Sequence, residues 1–228
     1  MNQIMPHSPE YYQNARKAMI DSQIHPMGVS SEAILAAFEA VPREVYVPEN
    51  LRGICYCDED LHIADNRYLM EPSVLARMIE HAKPKADDVA LTIGSGIGYN
   101  ASILSSLVST VIALEENPDF VAQAQNVWDD KGYVNIVGVE GPLTQGWDKN
   151  APYDLILING AVSFVPETIK QQLNINGRII VPIRKRDSTI AKVTFIERIN
   201  ETVFSDIVLF DSGTPYLKGF EPAQEFIF

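Results

Sequence analysis

Between Asp87 and Asn176 the chain repeats one unit, a short apolar run followed by a helical stretch and then another apolar run. Runs of this length without polar alternation are strands buried on both faces, and helices between them lay parallel strands side by side. Strands are expected at 88–93, 111–115, 134–139 and 153–159, with helices near 98–108, 118–131 and 166–174. Asn117-Pro118 supplies the cap and first residue of the middle helix. After Asn176-Gly177 the rhythm changes: "RIIVPI", "TIAKVTFIERI" and "TVFSDIVLF" follow one another with only short turns, which predicts antiparallel neighbours. Residues before 84 read mainly as helix and loop. Ser8-Pro9 opens a helix through about Gln23; Ser30 or Ser31 caps a second, carrying Ile34, Leu35, Phe38 and Val41 and closed by Pro42; Pro72 starts a third, with Val74, Leu75, Met78 and Ile79 on one face, closed by Pro84.

The 228 residues are enough for one α/β domain with its own core, so a single domain is expected, with a helical entry region at 1–84 and a sheet with its C-terminal strands at 85–228. A formal net charge of -12 argues against nucleic acid and anionic membrane as partners, since both would be repelled at long range. Arg184, Lys185 and Arg186 are the one basic cluster and read as a solvated hairpin tip. No signal-like or membrane-spanning apolar run is found, so a cytoplasmic address is the expectation. Cys55 and Cys57 lack a second ligand pair and read as reduced thiols; His7, His25, His62 and His81 are scattered, and no metal site is expected.

The most informative stretch is "LTIGSGIGYN", 91–100, where a strand runs into three alternating glycines and a helix begins. This is the place where ligands bind in doubly wound folds, and glycine lets the chain take positive φ and lets a ligand lie against main chain. Gly94, Ser95, Gly96 and Gly98 are therefore candidates for contact with a nucleoside-containing cofactor. The segment "GIGYNA" also satisfies a loose dinucleotide pattern, so the glycines alone leave nicotinamide and S-adenosylmethionine cofactors both open. Glu115, ending the next strand, is the candidate for the ribose hydroxyls; the alternative is an ordinary strand-end carboxylate, and alternation allows only one of Glu115 and Glu116 to face the ligand.

The terminal strands favour S-adenosylmethionine, because the order of elements resembles the class I methyltransferase sheet, mostly parallel and Rossmann-like, in which by resemblance a seventh strand inserts antiparallel beside the last parallel one. Several segments together resemble one family, the protein-L-isoaspartate O-methyltransferases: "MIDSQIHPMGV" and "AFEAVPREVYVPENLRGICYCDEDLHI" before the sheet, then "LTIGSGIGYNASILSSL", "VIALEENP", "APYDLILINGAV" and "NINGRIIVPI" in the family's order, with a weaker match at "TPYLKGF". The resemblance implies S-adenosylmethionine as methyl donor and the carboxylate of an isoaspartyl peptide or protein as acceptor, in the first step of repair. Such an acceptor is already ionised at neutral pH, so positioning rather than a general base carries the rate.

The same resemblance marks departures. Where the family has a Gln-Thr-Ile-Ser run before a proline, this chain has "RYLMEP", which puts Met70 in the place of a hydroxyl near the reacting carboxylate. A thioether donates no hydrogen bond, and Arg67 or Tyr68 are the candidates to hold the acceptor instead. Thr92 stands where an acid usually precedes the glycine loop, and Gly141-Pro142 stand where a Gly-Asp-Gly usually lies by the adenine. Asn159 and Gly160 fall on the ligand edge; Asp154 starts the fourth strand, as a cap for neighbouring amides or a cofactor contact. Loss of the reaction, leaving a binding or interaction protein, and a changed acceptor are the alternatives these departures raise.

Overall fold

Ser8 accepts a hydrogen bond from the Tyr11 amide and Pro9 takes the first helical position, so α1 (Pro9–Met19) starts where the sequence places it. This is a computed structural model, and it describes residues 8–222; His7 lies outside them. The helix runs on through a wider turn, Ile20–Ile24, and a tighter one, His25–Met27, until Gly28, at φ 89°, stops it. Helix α2 (Glu32–Ala40) is capped by Ser31. Then comes an element absent from the sequence reading, a hairpin of β1 (Leu61–Ala64) and β2 (Arg67–Leu69), turned at Asp65 and Asn66 with φ of 50° and 56°. Strands of four and three residues are too short for alternation to register. Helix α3 (Pro72–Ala82) follows.

The main sheet is built from β3 (Val89–Ile93), β4 (Thr110–Glu115), β5 (Ile136–Glu140), β6 (Tyr153–Ile158), β7 (Leu173–Ile183), β8 (Ala191–Arg198) and β9 (Phe204–Ser212), with α4 (Tyr99–Ser105), α5 (Pro118–Lys131) and α6 (Glu167–Lys170) between the parallel members. Its order is β5-β4-β3-β6-β7-β8-β9. Pairings from β5 through β7 are parallel, β8 runs against β7, and β9 runs against β8. Two expectations are corrected. The sheet ends in a meander, with no inserted seventh strand: residues 184–190 form a short connection, so β8 folds straight back onto β7 and leaves β9 at the edge. The helix expected at 166–174 is only the four residues of α6, because Leu173 already begins β7.

Period-two alternation sends Leu91, Ile93, Ile112, Leu114, Ile156 and Ile158 to one face of the sheet, and Ala90, Val111, Ala113, Leu155 and Leu157 to the other. Helices α1 to α5 pack on the second face; the first is covered by α6, Leu143 and the C-terminal segment with Leu217 and Phe220. That segment is held by main chain, the Leu217 amide donating to the Ala161 carbonyl at 2.8 Å and the Ala161 amide to the Pro215 carbonyl at 2.8 Å. At the sheet's other end Arg178 is 6% exposed and donates to the carbonyls of Ala82, Lys83 and Asp154 and to the Asp88 carboxylate, tying α3 to the strand starts. Asp154 works there too: it accepts from the Val89 amide at 2.9 Å and from Asn174, as a cap far from the ligand edge.

Candidate cofactor and acceptor site

From β3 the chain steps to β4 and β5 on one side and later returns to lay β6 on the other, so the C-terminal ends of β3 and β6 bound a crevice at a topological switch point. The glycine loop forms its floor. Both Gly94 and Ser95 donate their amides to the Leu114 carbonyl, at 3.0 and 3.2 Å, and Gly98 takes φ 91° as the cap of α4. The sequence predicts main chain left bare for a nucleoside; the structure covers it with this chain's own side chains. A Cβ at Gly94 would lie 2.6 Å from Leu217 Cδ1, and one at Gly98 only 2.4 Å from the Trp128 ring; over Gly96 stands Ile63 of β1. Glycine is needed at these places for close approach, but the approaching groups come from the C-terminal segment, from α5 and from the hairpin.

Glu115 is equally engaged. Its carboxylate is 1% exposed and faces Arg67, whose Nε lies 3.2 and 3.0 Å from the two oxygens and whose Nη2 lies 2.9 Å from Oε1. The same carboxylate accepts from the amides of Gly96 (2.9 Å), Glu116 (2.9 Å) and Asn117 (3.1 Å). Glu116 points the other way, to solvent, within 3.2 Å of both Arg67 Nη2 and Lys218 Nζ. Burial alone would lower the Arg67 pKa, but its hydrogen bonds and charge pairing with Glu115, then Glu116, outweigh that and raise it. Arg67, expected as a holder of the acceptor's carboxylate, here holds the chain's own.

Thr92 is fully buried and accepts from Asn100 Nδ2; Ser95 Oγ donates to Asn100 Oδ1 at 3.1 Å. Asn100, which the sequence reading passed over, thus ties the end of β3 to the start of α4. Its signal was a polar residue inside the glycine stretch at a position that α4 buries. Gly141 donates its amide to the Glu115 carbonyl, and its α-carbon lies against the Trp147 indole; Pro142, after it, brings no amide. Asn159 donates its amide to the Ile93 carbonyl and its side chain to the Gly94 carbonyl at 3.0 Å, bridging the crevice. Where the sequence predicts the acceptor, Met70 is 2% exposed and its carbonyl accepts from Arg43, while Tyr68 is half-buried against His62.

What remains open is small. Two cavities beside Met70, Tyr68 and Asn159 measure about 10 Å³ each, room for about one water, whereas pockets for cofactor-sized ligands run to roughly 300–1,000 Å³. A wider cleft of about 400 Å³ lies outside them, between the hairpin tip and the N-terminus of α5, with Asp65, Arg67, Glu116, Asn117 and Lys218 in its walls. In this conformation the residues at the glycine loop do not fit a nucleoside. Leu217 occupies the space over Gly94, and Arg67 occupies the Glu115 carboxylate, the group expected for ribose hydroxyls.

Acidic residues crowd the approach. Burial, opposed by the Ser73 hydroxyl and reinforced by Asp58, Asp60 and Glu59, raises the pKa of Glu71; burial, opposed by the Glu71 amide and Arg43, also raises that of Asp60. A carboxyl whose pKa is higher folded than unfolded binds its proton more tightly in the fold. Its stabilising share is complete below the unfolded pKa and is lost as pH rises through the raised folded value. Glu71→Gln removes that loss, so the stability difference between variant and wild type should grow in the variant's favour from about pH 4 to about pH 7. Urea midpoints across that range measure it, and a difference that shrinks with pH would contradict the sign.

Residues 14–208 match the family model described as protein-L-isoaspartate(D-aspartate) O-methyltransferase. A protein-L-isoaspartate O-methyltransferase of Methanoculleus marisnigri is 34% identical over 172 residues, covering 75% of this chain and 78% of that protein. One from Petrotoga mobilis is 33% identical over 202 residues, 87% of this chain and 95% of its own. A solved protein-L-isoaspartate O-methyltransferase superposes with a TM-score of 0.78 at 26% identity, over 90% of this chain and 67% of that one. The fold is shared as well with a Plasmodium falciparum protein solved with S-adenosyl-L-homocysteine, at TM-score 0.74 and 22% identity, over 91% of this chain and 98% of that one.

Proposed function

Because this chain belongs to the protein-L-isoaspartate(D-aspartate) O-methyltransferase family, we propose that it is an S-adenosylmethionine-dependent protein carboxyl methyltransferase acting on isoaspartyl residues of damaged proteins. The observation that supports this reading is the family match over residues 14–208, from the N-terminal helices through the sheet; to the cofactor we assign the glycine loop, Glu115 and Asn159, which are joined by hydrogen bonds at the strand ends. The acceptor is an ionised carboxylate, so no residue has to remove a proton from it, and the work left to the protein is holding and drying the acceptor. Met70 and Tyr68 line that side, with Tyr216 beyond them. A protein or peptide partner rather than nucleic acid suits the net charge of -12. Among the described residues no helix is long and apolar enough to cross a membrane, and we place the protein in the cytoplasm.

The test is transfer of a labelled methyl group from S-adenosylmethionine to an isoaspartyl peptide by the purified chain. Expected is a base-labile methyl ester on the isoaspartyl peptide and none on its aspartyl counterpart; no label, while an active relative labels the same peptide, defeats the reading. Met70→Ser returns a hydroxyl beside the acceptor. A hydroxyl donating to an ionised carboxylate makes a charge-assisted hydrogen bond worth about 1.5–3 kcal/mol, so kcat/KM should rise about 10- to 150-fold. A second reading, a relative that has given up the reaction and acts by binding a partner, is favoured by the side chains that cover the glycine loop. Titration with S-adenosylmethionine separates the two, a micromolar affinity of about -8 kcal/mol counting against the second.

A further inference from the structure

We infer that the β1–β2 hairpin is an intramolecular latch on the cofactor edge, with Arg67 in competition with the cofactor's ribose for the Glu115 carboxylate. The inference rests on the reading of that edge as the cofactor site. Three contacts set the hairpin down there: Ile63 covers Gly96, Arg67 grips Glu115 with Nε and Nη2, and the Asn117 side chain donates to Asp65 at the hairpin turn. They engage the glycine loop, the end of β4 and the cap of α5, three places that a nucleoside lying across the strand ends would touch.

The latch is built to be released. The third guanidinium nitrogen, Arg67 Nη1, is buried without a hydrogen-bond partner, so the closed arrangement leaves one charged donor unsatisfied. Glu115 does not depend on Arg67 alone, because the amides of Gly96, Glu116 and Asn117 stay on it when the arginine leaves. The departing side chain also has somewhere to go. Arg67 lines the open cleft beside Asp65, Glu116 and Lys218, where Glu116 already lies 3.2 Å from Nη2. A swing of the hairpin about its base, at Asp60 and Met70, would release Asp65 from Asn117, leave Arg67 paired with Glu116 alone and lift Ile63 from Gly96. Affinity for the cofactor then carries the cost of that exchange as a fixed factor, since binding is reduced by the fraction of chains that are open.

Calorimetric titration of the purified full chain with S-adenosyl-L-homocysteine tests this, on wild type and on Arg67→Met, which keeps the length of the side chain and removes its charge and donors. Arg67→Met should bind at least tenfold more tightly than wild type. If both bind with the same affinity, the hairpin opens without cost and the latch is overturned, while the cofactor reading stands. If neither binds, and Arg67→Met combined with Leu217→Ala does not bind either, the latch and the cofactor reading fall together. Should Arg67→Met not fold, Arg67→Lys keeps the charge beside Glu115 and loses only the bidentate fork; a smaller gain is then expected, and no gain overturns the latch.

Discussion

Glu115→Ala should lower the free energy of unfolding by about 3–5 kcal/mol, because it removes one partner of a buried pair and strands the other. The Arg67 side chain is 3% exposed and would keep only Glu116 as an acceptor, while the amides of Gly96, Glu116 and Asn117 would lose theirs. For a chain of this size the loss corresponds to a fall in Tm of about 6–20 °C. Adding Arg67→Met to Glu115→Ala takes away the stranded charge, and the double variant should recover part of the loss, since exchanging both members of a buried pair for apolar groups costs far less than breaking it. A double-mutant cycle in urea reads the coupling. A cost below about 1 kcal/mol for Glu115→Ala would mean that the pair is not formed in solution.

Gly98→Ala carries the second large effect, about 2–5 kcal/mol, from two sources that a control separates. At φ 91° an L-residue is strained, and the new methyl would lie 2.4 Å from the Trp128 ring. The ring cannot retreat cheaply: it is 1% exposed and its Nε1 donates to Ser102 Oγ, which also accepts from the Tyr46 hydroxyl. Gly132 ends α5 with φ 75° and open space around the missing side chain. Gly132→Ala therefore measures strain alone, and the excess of Gly98→Ala over it measures the collision. Equal losses of Tm in the two variants would show that α5 does not press on the glycine loop.

Much of the fold could be read along the chain because its signals are local. Apolar runs at β3, β4 and β6, the caps Ser8, Ser31 and Asn117, and Pro72 at the head of α3 act within a few residues of themselves. Gly94, Gly96 and Gly98 announce a close approach in the same local way. What approaches them is decided by tertiary structure: Leu217 arrives from more than a hundred residues downstream, fixed by its main-chain bonds to Ala161, and Ile63 from a hairpin too short to show a period. Arg67 was legible as a carboxylate-binding side chain, since an arginine beside the acceptor proline suits that task, but its partner was not. Nothing in "RYLMEP" says that the nearest carboxylate will be the strand-end acid 48 positions on. The meander at the sheet edge was legible in the same local way, three segments with short turns pairing antiparallel as expected, and what failed was the inserted strand taken from the resemblance, because the short connection at 184–190 folds β8 straight back onto β7.

The chain has two tryptophans, and both stand against glycines of the ligand edge, Trp128 beneath Gly98 and Trp147 beside Gly141. Its ultraviolet emission is therefore a built-in optical reporter of that edge. Trp128, sealed in the core, should contribute a blue component sheltered from dissolved quenchers, and half-buried Trp147, with the Lys149 ammonium 4.6 Å from its ring, a redder and accessible one. Whatever rearranges the crevice shifts the balance of those two colours, without a dye or a label.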